Sequence, residues 1–550
     1  MLESKVYELT TQPLTEQATA AQKDYKSPLV AALINNTVTD LQKPVSEFPE
    51  QASLKFIELD SEMGWHIYRR SVLFLLITAA HELSPEAEVV AQFTANKGLF
   101  IEISLPHDAP LTADAVRNLE KHMREIIAEN RPVKRRTMSR EDAVRLFKES
   151  RQIEKANLIS AMKQPEVSIY KCGDYADYLY GAMIGSTGSL GRFALDFEAP
   201  GVLLRTPEAG TKGEITPYLP QPKLSHILAE AKEWAGILHC RYVTDLNRIN
   251  RNGQIGDLIR VSEALQEKRI AQIADHIAAH RDRLRLVLIA GPSSSGKTSF
   301  AQRLKVQMRV AGLEPVSISL DDYFVNRAET PRNERGEYDY ECLEALQVDL
   351  FNQNMVDLLA GREVRLPRYN FITGNSEWQD VPMALPKGQP IIIEGIHGLN
   401  EKLSAAVPRE NKFKIYISAL TQLNIDAHNR IPTTDARLLR RLVRDYQFRG
   451  AYALKTLKQW PDVRAGEEKN IFPYQEEADV MFNSALIYEL GVLKKYAKPL
   501  LEMIPPEEPV HAKAQRLLDF CQYFDDITAE DEIPNNSLLR EFIGKSVFFK

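Results

Sequence analysis

Eight consecutive residues, Gly291, Pro292, Ser293, Ser294, Ser295, Gly296, Lys297 and Thr298, satisfy the spacing G-x-x-x-x-G-K-[ST] in full. Small residues at these positions let successive backbone N–H groups turn inward around phosphate oxygens, and a helix starting at the lysine adds positive potential. Lys297 then supplies a point charge to the β- and γ-phosphates, and the Thr298 hydroxyl is placed to hold Mg²⁺. With Ser299, which follows in the chain, these residues are the candidate binding loop for ATP. A phosphate loop alone does not separate a kinase from a switch or a motor, so the acceptor side must decide. Asp321 and Asp322 close the strand-like run VSISL, where a carboxylate can accept a hydrogen bond from an alcohol and orient it toward the γ-phosphate; the alternative is a solvated turn. Glu394 follows three isoleucines at another strand end, either as a second Mg²⁺ group with Thr298 or as a surface acid. Between Asp435 and Gly450 a helical period carries Arg437, Arg440, Arg441, Arg444 and Arg449. Alone, such a run is a solvated helix face. Beside a phosphate loop it can act as a mobile lid over the transferring charge.

These side chains need sheet edges to hold them. RLRLVLIA (283 to 290), VSISL (316 to 320), IIIEG (391 to 395) and FKIYIS (413 to 418) read as buried strands with helical stretches between them, which predicts a mainly parallel sheet covered on both faces. Residues 219 to 280 have helical periodicity and read as a connector. Upstream the pattern changes. Residues 28 to 60 form a small β-rich unit; a helix runs from Trp65 toward Pro85; VVAQFTA and LFIEISL are strands; a charged helix spans Ala113 to Asn130. After a basic turn, PVKRR at 132 to 136, Ser139 caps another helix, and Val167 to Pro207 is short-stranded and Gly-rich. The expected fold is multidomain: an α+β N-terminal half followed by an α/β P-loop domain.

Length and composition agree. A chain of 550 residues exceeds one core, and 44% apolar with 26% charged residues is ordinary globular composition. A formal charge of −6 gives no global reason to bind nucleic acid or an anionic membrane. Four cysteines without C-x-x-C spacing, a polar start to the chain and no long apolar run predict a reducing cytoplasm, without secretion or membrane insertion.

Six ordered motifs carry a resemblance: the phosphate loop, LDDYF, YDYE at 338 to 341, LPRYNF at 366 to 371, IIIEGIHGL at 391 to 399, and DARLLRRLVRDYQFRG. Residues 283 to about 490 resemble the uridine kinase and phosphoribulokinase group of P-loop kinases. The resemblance implies that Asp321 is the catalytic carboxylate and that Lys297 and Arg444 assist transfer. It also implies that Tyr338, Asp339, Tyr369, Asp322 and Arg444 meet the acceptor, and that Arg441 and Arg444 contact phosphates. Two departures touch the base-reading part of the pattern: a His of the family falls at Gly374, and an Asp at Asn370. Residues 28 to 60 resemble a TGS domain, and 65 to about 200 resemble the editing domain of threonyl-tRNA synthetases, carried by NRPVKRRTMSREDAVRLF and KCGDYADYLYGAMIGSTG. The four metal-site positions of that domain are Arg70, Phe74, Leu179 and Met183 here, so neither metal binding nor editing is expected. His66 nearby is read as a packed or surface residue.

The expected parts are a TGS-like unit (1–62), an editing-like domain (63–215), a helical connector (216–281) and a kinase-like domain (282–550). The whole order resembles a bacterial family of nucleoside kinases related to uridine kinase. The expected activity is ATP- and Mg²⁺-dependent phosphorylation of a hydroxyl on a nucleoside (uridine- or cytidine-like) or a related small polyol. The competing reading, motivated by PVKRR, is a nucleotide-gated RNA- or tRNA-binding regulator. The physiological acceptor and the oligomeric state are left open.

Overall fold

Around the phosphate loop, apolar strands are flanked by loops that bring polar residues to one edge. In the computed structural model, which describes residues 5–333 and 336–549, five strands build this layer: β1 (Leu286–Ala290), β2 (Val316–Ser319), β3 (Ile391–Glu394), β4 (Lys412–Ser418) and β5 (Val480–Asn483). Their order is β2-β3-β1-β4-β5 and every pairing is parallel. β1 and β4 are buried along their whole length, as a strand covered on both faces must be. β5 was not foreseen; it lies in the stretch ADVMFNSAL, where only three apolar residues in a row mark it.

Helix α1 (Lys297–Val310) follows the loop and packs through Phe300, Leu304 and Met308 into one face of the sheet. The helix Ile255–Ala279 joins that core through Ile270, Ile273 and Ile277. The C-terminal end of the 219 to 280 stretch is therefore part of the layer on the sheet, while Val243, Leu246 and Ile249 pack into the neighbouring helical core. Helices α2 (Thr433–Arg449) and α3 (Ala453–Asn470) form an adjacent pair. Gly450 ends α2 in the left-handed conformation, φ 59°.

The N-terminal half is antiparallel. Strands Tyr7–Glu8, Ser53–Glu58, Leu29–Ile34 and Thr37–Thr39 form a sheet packed on the helix Leu14–Ala21. The long helix Glu62–Leu83, capped by Ser61, lies against the sheet made by Glu88–Ala95, Gly98–Ser104, Gly201–Arg205 and Ala194–Glu198. One expectation is corrected. PVKRR is not a turn: Lys134–Ser139 is a strand paired along its length with Glu166–Cys172. The backbone pairing supplies what the polar side chains do not announce. All four cysteines are buried and free. Among the described residues no helix is long and apolar enough to cross a membrane.

The halves interlock through the loop between β4 and α2. The Ala91 N–H donates to the Ala427 carbonyl at 2.8 Å, and Asn424 Nδ2 returns a bond to the Ala91 carbonyl at 2.9 Å. Behind them Lys155, Asp177 and His428 form a buried cluster: Lys155 Nζ meets His428 Nδ1 at 2.9 Å and pairs with Asp177, whose other oxygen lies 2.7 Å from His428 Nδ1.

Candidate active site

The loop from Gly291 to Thr298 joins β1 to α1. A Cβ at Gly291 would lie 2.0 Å from the carbonyl oxygen of Ile417 on β4, so close backbone approach requires glycine. Gly296 has φ 82°, the left-handed conformation that turns the chain into the helix. Lys297 Nζ donates to the Gly291 and Pro292 carbonyls at 3.0 and 3.2 Å, which holds the ammonium across the loop mouth. The hydroxyls of Ser294 and Ser295 are buried without hydrogen-bond partners, as donors aimed at a phosphate would be.

The strand-end acids gather on this loop. Thr298 Oγ1 lies 3.4 Å from both oxygens of Glu394 at the end of β3. Asp321 and Asp322 sit in the short turn Leu320–Tyr323 that follows β2, with the Asp321 N–H on Ser319 Oγ. Burial pushes the Glu394 carboxyl up to about 7, and Asp321 and Glu541 push the same way against Lys297. Protein packed around Asp321 raises its carboxyl, opposed by Lys297 and then Arg449, although one face of the side chain remains open to solvent. Burial lowers the Lys297 ammonium against the pull of Glu394, Glu541 and Asp321. Each of these groups is thus held where its charged form is disfavoured, a signature of functional sites. Thr298 and Glu394 fit Mg²⁺, which takes few protein ligands and completes its shell with phosphate oxygens and water.

The arginine helix is only partly what its period suggests. Arg437 and Arg440 are buried on α2 and spent on structure: Arg437 binds Glu467 of α3 at 2.7 and 2.6 Å, and Arg440 binds Glu489 at 3.1 and 2.5 Å. In this structure the helix is a packed core element, not a raised lid, because Ala436, Leu438, Leu439, Leu442 and Val443 fasten its other side. Arg441 and Arg444 do face the loop. Arg441 Nη1 donates to Ser293 Oγ at 2.9 Å, Arg444 perturbs Lys297, and Asp445 holds both guanidinium groups within 3.2 Å.

On the acceptor side the Tyr369 ring packs 5.4 Å from Phe324 and 5.0 Å from Phe371, and its amide supports Asp322. Burial and neighbouring Asp321 raise the Asp322 carboxyl. Tyr338 lies beneath the Arg332 guanidinium at 4.3 Å. Asp339 Oδ1 accepts the Glu341 N–H at 3.1 Å, and Oδ2 is 3.8 Å from Lys469 of α3.

Sequence reasoning missed four groups. Glu341 feels Lys297, Arg441 and Asp321, and its carboxyl is raised by burial and Glu467. A Cβ at Gly466, toward the C-terminal end of α3, would lie 2.9 Å from Glu341 Cγ, so that glycine was the local signal. Glu467 also accepts the Ser293 N–H at 2.9 Å. Glu541, near the chain end, accepts from the Ser299 N–H at 3.2 Å and from Ser299 Oγ at 2.7 Å. Arg327, open to solvent, is held by the hydroxyls of Tyr340 and Tyr369, which raise its guanidinium.

The editing-like region has no such furnishing. Phe74, Leu179 and Met183 are core side chains, and Arg70 Nη1 donates to the Ala182 carbonyl at 2.7 Å. Gly181, with φ 100°, leaves the room that the Arg70 guanidinium fills. His66 is exposed.

A parallel sheet, a phosphate loop between strand and helix, and acids at neighbouring strand ends define a P-loop nucleotide-binding domain of the phosphotransferase type. Residues 286–487 match the model of the Phosphoribulokinase / Uridine kinase family. The N-terminal half is similar to the threonine–tRNA ligase of Magnetococcus marinus (strain ATCC BAA-1437 / JCM 17883 / MC-1), 30% identical over 191 residues, which is 34% of this chain and 29% of that protein. It is similar also to that of Acidithiobacillus ferrooxidans (strain ATCC 53993 / BNL-5-31), 32% identical over 171 residues, 31% of this chain and 26% of that protein. The chain thus spans less than a third of these ligases and joins a region similar to them to a region that matches the phosphoribulokinase / uridine kinase model. A solved structure of a possible uridine kinase from Bacillus stearothermophilus overlays on 39% of this chain and 98% of its own, with 21% identity and a TM-score of 0.27.

Proposed function

We propose that the chain is an ATP-dependent kinase that phosphorylates a hydroxyl of a nucleoside, uridine- or cytidine-like, or of a related small polyol. One observation carries this reading: Lys297, Asp321 and Glu394 converge on the phosphate loop and perturb one another's charge. The Asp321 carboxylate accepts the acceptor's proton as the acceptor oxygen forms its bond to the γ-phosphorus. The bond from that phosphorus to the β-phosphate bridging oxygen breaks, and ADP leaves. Lys297, the loop amides, Arg441 and Arg444 meet the phosphate charge. Thr298 and Glu394 are the residues that would hold Mg²⁺, whose chemistry is to neutralise charge on the β- and γ-oxygens. Tyr338, Asp339 and Tyr369 shape the acceptor side.

ATP consumption and product mass over a nucleoside and polyol panel, in wild type and Asp321→Asn, test the assignment. A fall of about 10²–10⁴-fold in acceptor-dependent turnover is expected for the variant. Identical consumption in both proteins removes it.

A further inference from the structure

Two helices face each other across the seam between the halves. On the long helix Glu62–Leu83, His66, Arg69 and Arg70 share one face by their three- and four-residue spacing, and on the helix His511–Cys521, Lys513 and Arg516 do the same. Tyr180 binds the seam together. Its N–H donates to Asn429 Oδ1 at 2.8 Å, its hydroxyl donates to the Arg516 carbonyl at 2.8 Å, and a Cβ on the neighbouring Gly181 would lie 2.8 Å from Arg70 Nη1. Arg430, next to Asn429 in the chain, joins the cluster from the loop before α2, with Nη1 on Thr94 Oγ1 at 2.6 Å. The His66 imidazole registers the surplus of positive charge. Burial and then Arg69 push it down to about 4, Arg516 and Arg70 act the same way, and Glu62 opposes them.

Three of these cations are already engaged. Arg69 lies 3.4 Å from Glu208, Arg70 rests on the Ala182 carbonyl, and Arg516 grips both oxygens of Asp435, one of them at 2.6 Å. Arg430 and Lys513 differ: among the described residues neither forms an ion pair, Arg430 has the neutral Thr94 hydroxyl, and Lys513 Nζ has no hydrogen-bond partner. Glu62 attracts Lys513 from a distance, and Asp435 attracts both cations but is committed to Arg516. Burial and neighbouring Arg69 lower the Arg430 guanidinium to about 10, and burial lowers the Lys513 ammonium. Both side chains nonetheless keep an open face, as do Arg69 at 27% and Arg516 at 40% exposure. Cations walled by protein, reachable from water and short of acid form a recess for an anion. A carboxylate would bring one charge, whereas a phosphate ester brings about −1.5 to −2 at pH 7 and oxygens that fit a guanidinium fork. Two uncompensated cations match the phosphate.

We propose that the seam holds a second anion site, separate from the phosphate loop, in which Arg430 and Lys513 bind the phosphate group of a small phosphorylated ligand. Only part of each side chain is open and both halves wall the recess, so a compact phosphate reaches it where the broad backbone of a nucleic-acid duplex does not. The site stands whether or not the kinase reading does.

Calorimetry on the full chain tests this with inorganic phosphate, glycerol 3-phosphate and acetate, each titrated in the presence of a saturating non-hydrolysable ATP analogue that fills the phosphate loop. Wild type is expected to bind both phosphates under these conditions and to prefer them to acetate. Arg430→Gln and Lys513→Gln should each weaken phosphate by about tenfold or more, and the double variant should abolish it, with affinity for the ATP analogue unchanged. Thermal unfolding gives an independent readout. Each glutamine removes a cation that lacks a counterpart, so the ligand-free variants should unfold at a higher Tm than wild type, and the rise in Tm that phosphate gives wild type should be missing from them. Phosphate binding that survives in the double variant, equal binding of acetate and phosphate, or no phosphate binding by wild type overturns the proposal. So does an RNA oligonucleotide that binds through Arg430 and Lys513 where glycerol 3-phosphate does not, since that assigns the seam to nucleic acid.

Discussion

At the junction of the two halves, Lys155 and Asp177 are wholly buried and His428 nearly so, and the three satisfy one another's hydrogen bonds. Around the phosphate loop, Glu394, Asp321 and Glu341 are crowded so that their carboxyls rise, while the Lys297 ammonium falls. The junction lowers the Asp177 carboxyl to about 2, through Lys155 and His428, even though burial alone would raise it. Completed charge holds a fold together. Charge left incomplete at strand ends is a site prepared for charge brought by a ligand. The position of Arg70 belongs with the first kind: its guanidinium lies on a backbone carbonyl among core side chains.

The sharpest break of this comparison removes one charge from each place. Lys297→Ala should lower acceptor-dependent turnover by about 10³-fold or more, of the order seen when a positioned charge is lost from a transition state, with little change in Tm. Asp177→Asn should do the reverse. Stranding Lys155 in the interior costs about 3–5 kcal/mol, read as a lower denaturant midpoint, with kcat per folded molecule preserved. The sign with pH follows from a depressed carboxyl: its stabilisation is fully present above the ordinary value of about 3.9 and is lost as the pH falls toward 2. Acid titration of wild type should show that loss, and the Asp177→Asn titration should lack it. If Lys297→Ala unfolds the chain and Asp177→Asn abolishes transfer in folded protein, the division between the two regions is wrong.

How far each region was legible follows from the distance over which its residues are joined. Gly291 to Thr298 is contiguous, so residue size and spacing alone point to the loop. Asp321 and Glu394 were readable because a strand of alternating or continuous apolar residues ends just before each, and parallel strands bring such ends to one edge. The partners of Arg437 and Arg440 were not readable. Their period shows a helix face, but only packing reveals that Glu467 and Glu489 wait on the other side. PVKRR misled because strand pairing is a backbone property that a run of basic side chains conceals. The helix Leu14–Ala21 was overlooked although Pro13 precedes it, because its apolar face is short.

A finer test exploits Glu394. Its carboxyl is pushed up to about 7, so it must lose a proton to hold Mg²⁺. Turnover at limiting Mg²⁺ is expected to rise with pH through about 7 and to shift its midpoint downward as Mg²⁺ is raised, because the cation favours the carboxylate. Glu394→Gln should flatten that limb. Stability of the ligand-free chain should move the other way. The folded state keeps the proton that the unfolded chain releases above about 4.3, so stability declines as the pH rises toward 7. A turnover profile with the same acid limb in Glu394→Gln would assign the titration to another group.

The smallest expected effect concerns Glu541, where the two kinds of charge meet. The first N–H groups of a helix have no partners within it and are what a phosphate uses. In α1 the Ser299 N–H and hydroxyl are both occupied by the Glu541 carboxylate, which arrives from 242 residues away. Leu538 packs beside Gly296 on the same segment, so the carboxylate is held against the loop rather than swinging free. A nucleotide phosphate approaching this turn meets a negative charge already bound there, and must displace it or sit against it. Glu541→Gln keeps the shape and removes the charge. It should tighten nucleotide binding by about tenfold, equivalent to about 1.4 kcal/mol, with the gain shrinking as salt screens the repulsion. Unchanged or weaker affinity in Glu541→Gln would place Glu541 with the completed charges, as a cap that steadies α1 whether or not a nucleotide is bound.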